Sequence, residues 1–145
     1  MTENLKFESH TGKLKCTTAE VFNFITDIRN FEQFIPGGSI KNWQASTDSS
    51  SFYVPPLGTV SVSLTEKTPY SFVAYSGDAL KRNEFKLLVH LSENERMLAE
   101  VRLTLTAEID PFLKMMASGP IEKFLETLIS EMEKFEKWNI VSKEN

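Results

Sequence analysis

The chain ends in a long amphipathic segment, and this segment constrains the fold more than any other feature of the sequence. Between Ile121 and Trp138 apolar side chains recur every three or four residues, which is the spacing of one helical face sustained for about five turns. The members of this stripe are Ile121, Phe124, Leu125, Leu128, Ile129, Met132, Phe135 and Trp138. Most of the preceding chain alternates apolar and polar residues, as strands do. Together these patterns predict a mostly antiparallel sheet wrapped around one long helix.

The strand pattern is clearest just before that segment. From Met97 to Ile109 the apolar residues share one phase and the polar residues share the other, which predicts a sheet with one buried and one wet face. Turn residues separate the remaining strands, and such short connections favour antiparallel neighbours. The predicted strands are 4–14, 40–45, 52–54, 59–67, 70–76, 84–91 and 97–109, and the polar run 46–51 is interpreted as a turn.

Helix boundaries are indicated by capping patterns. Thr17 and Glu20 form a capping-box pair ahead of an apolar helix, and a second short helix, 31–35, ends at Pro36. Asp110 and the proline after it predict the start of the terminal helix. Pro120 falls inside that helix and is expected to kink it or divide it into a short and a long piece.

The bulk properties are those of one ordinary domain spanning 1–145. The 145 residues carry a formal net charge of −4 and are 41% hydrophobic, which disfavours nucleic acid as a partner because phosphate binding needs a concentrated basic face. One cysteine, Cys16, rules out an internal disulfide and is expected to be a small buried hydrophobe. No apolar run reaches the roughly 18 residues of a membrane span and the N-terminus is polar, so a cytoplasmic protein is expected.

The order of these elements resembles the START/Bet v 1-like superfamily, also called SRPBCC. The resemblance rests on the run Thr17 to Asp27, on Asn30-Phe31 and Phe34-Ile35-Pro36, and on Asp110-Pro111-Phe112-Leu113. It implies an α+β helix-grip fold: a seven-stranded antiparallel sheet curved around a long C-terminal helix, two short helices between strands 1 and 2, and a cavity between sheet and helix. The superfamily includes lipid carriers, hormone and flavonoid binders, ubiquinone-binding proteins, aromatic cyclases and co-chaperone domains, so the fold alone does not select a function.

The sequence offers little for catalysis. His10 and His90 both fall on the polar phase of their strands, no metal-ligand spacing or nucleophile motif is present, and no cofactor is implied. The phases predicted to face inward hold almost no ionisable groups, which disfavours acid–base chemistry. Tyr70, His90 and Asn42 are the polar groups that an enzyme could use.

Aromatic and aliphatic side chains do converge on the inward phases. They either fill a core or line a cavity, and Tyr70 could orient a ligand through its hydroxyl. The predicted lining residues are Trp43, Phe52, Tyr70, Phe72, Phe85, Leu103, Phe124, Leu128 and Met132. Leu57, Met115 and Met116 are predicted to form a flexible apolar entrance.

The sequence therefore favours binding or carriage of a small hydrophobic ligand, such as a lipid, an isoprenoid or an aromatic compound. Two alternatives stay open: a cyclase- or dehydratase-type enzyme that uses the same cavity, and a pocket-less protein-interaction module. An inward surface without charges supports the first of these three functions.

Overall fold

A curved antiparallel sheet with a long helix packed on its inner face forms the protein, in a computed structural model that describes residues 3–35, 40–55, 58–79 and 83–138. The strands are β1 Glu3–Glu8, β2 Gly12–Lys13, β3 Lys41–Ala45, β4 Ser49–Val54, β5 Gly58–Thr68, β6 Phe72–Ala79, β7 Asn83–Glu93 and β8 Ala99–Ile109. The helices are α1 Thr18–Ile25, a 3₁₀ helix Ile28–Phe34 and α2 Pro111–Lys134. Strand order is β1-β8-β7-β6-β5-β4-β3, with β2 also paired to β8. The predicted helix-grip α+β fold is confirmed.

Alternation along β8 sets the inner face of the sheet. Val101, Leu103 and Leu105 lie opposite Leu91, Val89 and Leu87 of β7, and all six side chains are buried. The intervening residues face outward, as the alternating pattern predicts for a sheet that is wet on one side.

The opening strand differs from its prediction. Instead of one strand over 4–14, β1 and β2 are separated by a bend that begins at Ser9. The Ser9 hydroxyl accepts a hydrogen bond from the backbone N–H of Leu103 and donates one to the carbonyl of His10. The bend places His10 against α2, so the prediction that its side chain lies on the polar phase of a continuous strand is wrong. The imidazole Nε2 lies 3.1 Å from Glu133 and Nδ1 lies 3.5 Å from Glu126.

The two short helices begin at capping residues. The Thr17 hydroxyl accepts from the Glu20 N–H, and the Glu20 carboxylate accepts from the Thr17 N–H, so the predicted capping box is confirmed. Asp27 caps the 3₁₀ helix by accepting from the Arg29 N–H, and this helix begins three residues before the predicted second helix.

The terminal helix is longer at its start and shorter at its end than the apolar stripe alone predicts. Asp110 caps α2 by accepting from the Leu113 N–H at 2.8 Å. α2 runs through Pro120 without a break, so the expected division into two pieces is wrong. The proline lies on the exposed side, and Ala117 and Leu125 continue the buried stripe past it. α2 ends at Lys134, yet Trp138 is still buried. Its ring packs on those of Phe24, Phe34 and Phe135, with centroids 5.0 to 5.5 Å apart.

Cys16 is buried, as the sequence predicts. Burial raises the pKa of its thiol to about 12, so the group is an inert part of the core at neutral pH.

None of the helices in the described ranges is long and apolar enough to cross a bilayer.

Candidate functional site

Burial along the inner face of the sheet changes from one end to the other. Near the β7–β8 turn the inner side chains are sealed, and Val73, Val89 and Leu103 are at most 1% exposed. Toward the opposite end, where β4 meets β5 and β8 meets α2, the inner face is covered only in part, although Val60, Ala79, Ala107 and Ile109 are buried there. The inner side chains that stay half-buried are Trp43, Phe52, Val62, Leu64 and Phe85.

The position of α2 explains this gradient. Its main packing partners are β1, β2, β8 and the 3₁₀ helix, so it lies over one side of the sheet rather than over β3 to β5. Glu126 and Glu133 mark the flank of α2 that faces the β1–β2 connection. Phe124 lies about half a turn around the helix from both, and its side chain is therefore on the opposite flank of α2, away from the β1–β2 connection.

We use the term apolar cleft for the space bounded by these two surfaces. The sheet side consists of Trp43, Phe52, Val62, Leu64 and Phe85, and the α2 side consists of Leu113, Ile121 and Phe124. Leu113 and Ile121 are half-buried and Phe124 is exposed. The cleft is thus an apolar surface that the protein's own side chains leave incompletely covered.

Local backbone features direct the aromatic rings into the cleft. Asn42 has φ 57°, at an irregularity of β3 between Lys41 and Gln44, and this bulge turns Trp43 toward Phe52. The two rings lie 5.5 Å apart at an interplanar angle of 31°. On β6, Gly77 leaves room for the Phe85 ring, because a Cβ there would stand 2.8 Å from ring atom Cζ.

The cleft carries no charge on the sheet side within the described strands. The inner row through Phe85 runs across the sheet as Leu5, Ala107, Phe85, Gly77, Val62 and Ser50. The next row contains Tyr75, whose hydroxyl is already committed to the carbonyl of Ile25 at 2.6 Å. Such a surface can hold an apolar molecule but offers no ionised group to a charged one.

The structure divides the predicted lining residues into three groups. Trp43, Phe52, Phe85 and Phe124 border the apolar cleft. Leu103, Leu128 and Met132 are at most 2% exposed and belong to the sealed core beneath the second half of α2. The remaining two, Tyr70 and Phe72, lie elsewhere.

Phe72 and Tyr70 correct the predicted phase of β6. The strand begins only at Phe72, after a turn closed by a hydrogen bond from the Ser71 N–H to the Thr68 carbonyl. Phe72 pairs with His90 on the outer face, and their rings lie 5.3 Å apart. Tyr70 sits in the turn at φ 68° and packs edge-on against Phe22, so neither ring reaches the cleft.

The predicted entrance residues lie on the first half of α2 or outside the described residues. Met115 and Met116 are exposed on the helix surface, and Leu57 falls outside the residues that the structure describes. Val62, Leu64, Leu113 and Ile121 border the cleft although they are absent from the predicted lining. The sequence signal that could have identified them is their phase along the strand or helix. That phase shows which face a residue lies on but not how completely it is buried.

The polar residues that an enzyme could have used are not gathered in the cleft. His90 is on the outer face beside Phe72, where burial and the nearby charge of Arg102 lower its pKa. Tyr70 is in the β5–β6 turn, and Asn42 occupies the β3 bulge. Among the described residues, no three His, Cys, Asp or Glu side chains are placed to hold a metal ion.

The outer face has a groove of its own, with a volume of about 750 Å³. One side is a row in which Asp78, Glu84 and Glu108 lie opposite one another on adjacent strands, and the other includes Lys6 and Lys86. The groove is wide open and carries both signs of charge, in contrast to the apolar cleft.

No protein-family model matches the sequence, and no curated protein matches it. Solved structures are similar at low identity. Norcoclaurine synthase from Thalictrum flavum aligns with a TM-score of 0.66 at 6% identity, covering 92% of this chain and 93% of that one. A conserved protein from Geobacillus kaustophilus gives 0.62 at 15% identity, covering 92% and 93%.

A third structure, an uncharacterised protein from Rhizobium leguminosarum, gives a TM-score of 0.60 at 12% identity, covering 93% of this chain and 98% of that one. At such identities the similarity concerns the fold alone. It extends over nearly the whole of each chain, and the chain therefore has the helix-grip, Bet v 1-like fold.

Proposed function

We propose that the protein binds a small hydrophobic molecule in the apolar cleft. The observation that carries this proposal is the incomplete burial of apolar side chains on two surfaces, Phe85 and Val62 on the inner face of the sheet and Ile121 and Phe124 on α2. Exposed apolar area is unfavourable in water, and contiguous patches of it typically mark binding sites. A ligand in the cleft would cover both surfaces at once.

The character of the cleft favours binding over acid–base catalysis. The inner rows through Phe85 and Tyr75 contain no ionised side chain between β8 and β4, and neither does the row that joins Phe52, Val60, Ala79 and Asn83. General acid–base chemistry requires a group whose proton can move. Lipids, isoprenoids and aromatic compounds all fit such a surface. The tilted pair formed by Trp43 and Phe52 supports a ligand with at least one flat apolar portion.

Dye binding to two matched variants tests this proposal. Val62→Trp places a large ring in the cleft, whereas Ser63→Trp places the same ring on the outer face of the same strand, beside the outer groove. We expect the neutral naphthyl ketone dye prodan to bind the wild-type protein and Ser63→Trp, with enhanced emission, and to lose binding in Val62→Trp. Circular dichroism during thermal unfolding checks that both variants fold.

The opposite pattern would refute the site. Binding that survives Val62→Trp but is lost in Ser63→Trp would assign the dye to the outer groove. A wild-type protein that binds neither prodan nor any co-purified apolar molecule, as judged by native mass spectrometry, would refute the function itself.

A further inference from the structure

One buried hydroxyl on the inner face has no hydrogen-bond partner. Ser50 of β4 is 8% exposed, and its hydroxyl forms no hydrogen bond within the described part of the chain. Every fully sealed side-chain nitrogen or oxygen among the described residues does have a partner. The Ser50 oxygen must therefore still touch accessible space, although nearly all of the residue is covered.

The register of β4 places Ser50 on the inner face, in the row of residues that borders the apolar cleft. Ser50 lies directly opposite Val62 and one inward position along the strand from Phe52, both of which border the cleft. The hydroxyl is thus a polar atom in an otherwise apolar lining.

Most of the other buried polar residues do have a side-chain partner. Ser9 bonds to the Leu103 N–H, Asn30 to the Phe24 carbonyl and Asn83 to the Ala79 carbonyl. Thr104 is 4% exposed and forms no side-chain hydrogen bond either, but it lies on the outer phase of β8 and not beside the cleft. Ser50 is therefore the buried hydroxyl without a partner on the inner face of the described strands, and such a group normally has a structural or functional reason.

We infer that the Ser50 hydroxyl is the polar anchor of the apolar cleft, and that the ligand is an uncharged apolar molecule carrying a hydrogen-bonding oxygen, as in a ketone, an ester or an alcohol. This inference rests on the proposed function. A pure hydrocarbon would strip water from the hydroxyl without replacing its hydrogen bond. A buried carboxylate or ammonium group would find no opposite charge in the inner rows.

A matched pair of dyes and a matched pair of serines test the inference. Prodan carries a ketone, and 2-(dimethylamino)naphthalene is the same ring system without it. Ser50→Ala removes the hydroxyl from the cleft, whereas Ser51→Ala makes the same change at the next residue, which faces outward opposite Ser61. We expect Ser50→Ala to weaken prodan binding about five-fold, the effect of one neutral hydrogen bond, while leaving affinity for the ketone-free dye unchanged.

Ser51→Ala should change neither affinity. Equal prodan affinity in the wild type and Ser50→Ala, with binding still blocked by Val62→Trp, would overturn the anchor while leaving the binding function intact. If neither dye binds the wild type, the function fails and the anchor fails with it.

Urea unfolding gives a readout that does not depend on any ligand. Because the hydroxyl has no protein partner to lose, Ser50→Ala should leave the unfolding midpoint unchanged or raise it. A clear fall in that midpoint, absent in Ser51→Ala, would show that the hydroxyl stabilises the protein itself and would overturn the inference.

Discussion

α2 is one continuous helix, but its first half, residues 111–124, and its second half, residues 125–134, have opposite surroundings. In the second half, Leu125, Leu128, Ile129 and Met132 are at most 2% exposed. In the first half, Phe112 is 73% and Met115 84% exposed, and Phe124 at the junction is still 38% exposed. Both halves are rich in large apolar side chains, so composition alone does not account for the difference.

The surroundings account for it. The second half is held by His10 of the β1–β2 connection and by the Lys13 N–H of β2, which both contact Glu133. Lys15 adds a contact of 3.0 Å to Glu136, just past the helix. The aromatic cluster of Phe24, Phe34, Phe135 and Trp138 closes its end. The first half has Ala117 in the core, and its flank toward β3 to β5 faces only half-buried side chains. One half of the helix thus stabilises the fold, and the other leaves apolar surface available for a ligand.

Truncating one large side chain in each half should separate these roles most strongly. Leu128→Ala removes a sealed side chain, and we expect a loss of about 2–5 kcal/mol in the free energy of unfolding because a cavity remains. Phe124→Ala removes a larger but part-exposed ring and should cost about 1 kcal/mol. Urea denaturation measures both, and equal losses would contradict the distinction between the halves.

Two glycines offer the same comparison with effects of different size. A Cβ at Gly12 would stand 2.8 Å from Cδ1 and 2.9 Å from Cγ1 of the sealed Ile129, so Gly12→Ala should lower the free energy of unfolding by about 1–3 kcal/mol through overpacking. A Cβ at Gly119 would meet nothing within 4 Å beyond its chain neighbours. Gly119→Ala should change the free energy of unfolding by less than about 1 kcal/mol, because the gain in helix propensity is offset by crowding against the following Pro120.

Thermal or urea unfolding of the two glycine variants checks this pair. Destabilisation by Gly119→Ala as large as that caused by Gly12→Ala would show that the first half of α2 is packed closely after all. An unchanged stability in Gly12→Ala would show that β2 and the second half are not in tight contact.

The pH dependence of stability should reveal the contact between His10 and the second half of α2, and His90, the other histidine of the chain, serves as the comparison. The hydrogen bond to Glu133 raises the pKa of His10, and the charges of Glu133 and Glu126 add to it. Burial lowers the pKa of His90. In an NMR titration His10 should therefore titrate above, and His90 below, the ordinary value of about 6.5.

The effects on stability follow from those directions. His10 contributes stability that is fully present below pH 6.5 or so and is lost as the pH rises through its raised pKa. His90 has the opposite effect, since stability falls as the pH drops from about 6.5 through its lowered pKa. Because His10 is exposed, its contribution should be below about 1 kcal/mol. His10→Gln should remove the loss of stability at rising pH and leave the loss at falling pH. If stability in that variant still falls with rising pH as in the wild type, His10 does not stabilise the contact with α2.

Periodicity in the sequence predicts the framework of this protein well. The alternation of β8, the capping box at Thr17 and the start of α2 at Asp110 are all local signals, and each is found in the structure. They succeed because side-chain burial, backbone hydrogen bonding and capping favour the same local conformation at these places.

The cleft is harder to predict because its composition depends on phase and coverage. A turn that ends at Ser71 moves Phe72 to the outer face, and a bulge next to Asn42 turns Trp43 inward. Ser50 lies in a polar run that looks like a turn, but β4 begins at Ser49 and makes it an inner residue. Whether a given inner residue is sealed depends on where α2 lies, and no local pattern encodes that.

Two indole N–H signals give the most direct test of the central claim. The chain has two tryptophans, and one lies beside the apolar cleft while the other lies in the sealed region at the end of α2. Trp43 borders the apolar cleft, whereas Trp138 is sealed beside the end of α2, with its indole N–H donating to the Phe135 carbonyl at 3.0 Å. In ¹H–¹⁵N spectra recorded during a prodan titration, we predict that the Trp43 indole signal moves and the Trp138 signal stays in place. Movement of the Trp138 signal alone, or of neither signal at saturating dye, would contradict a binding site at the first half of α2.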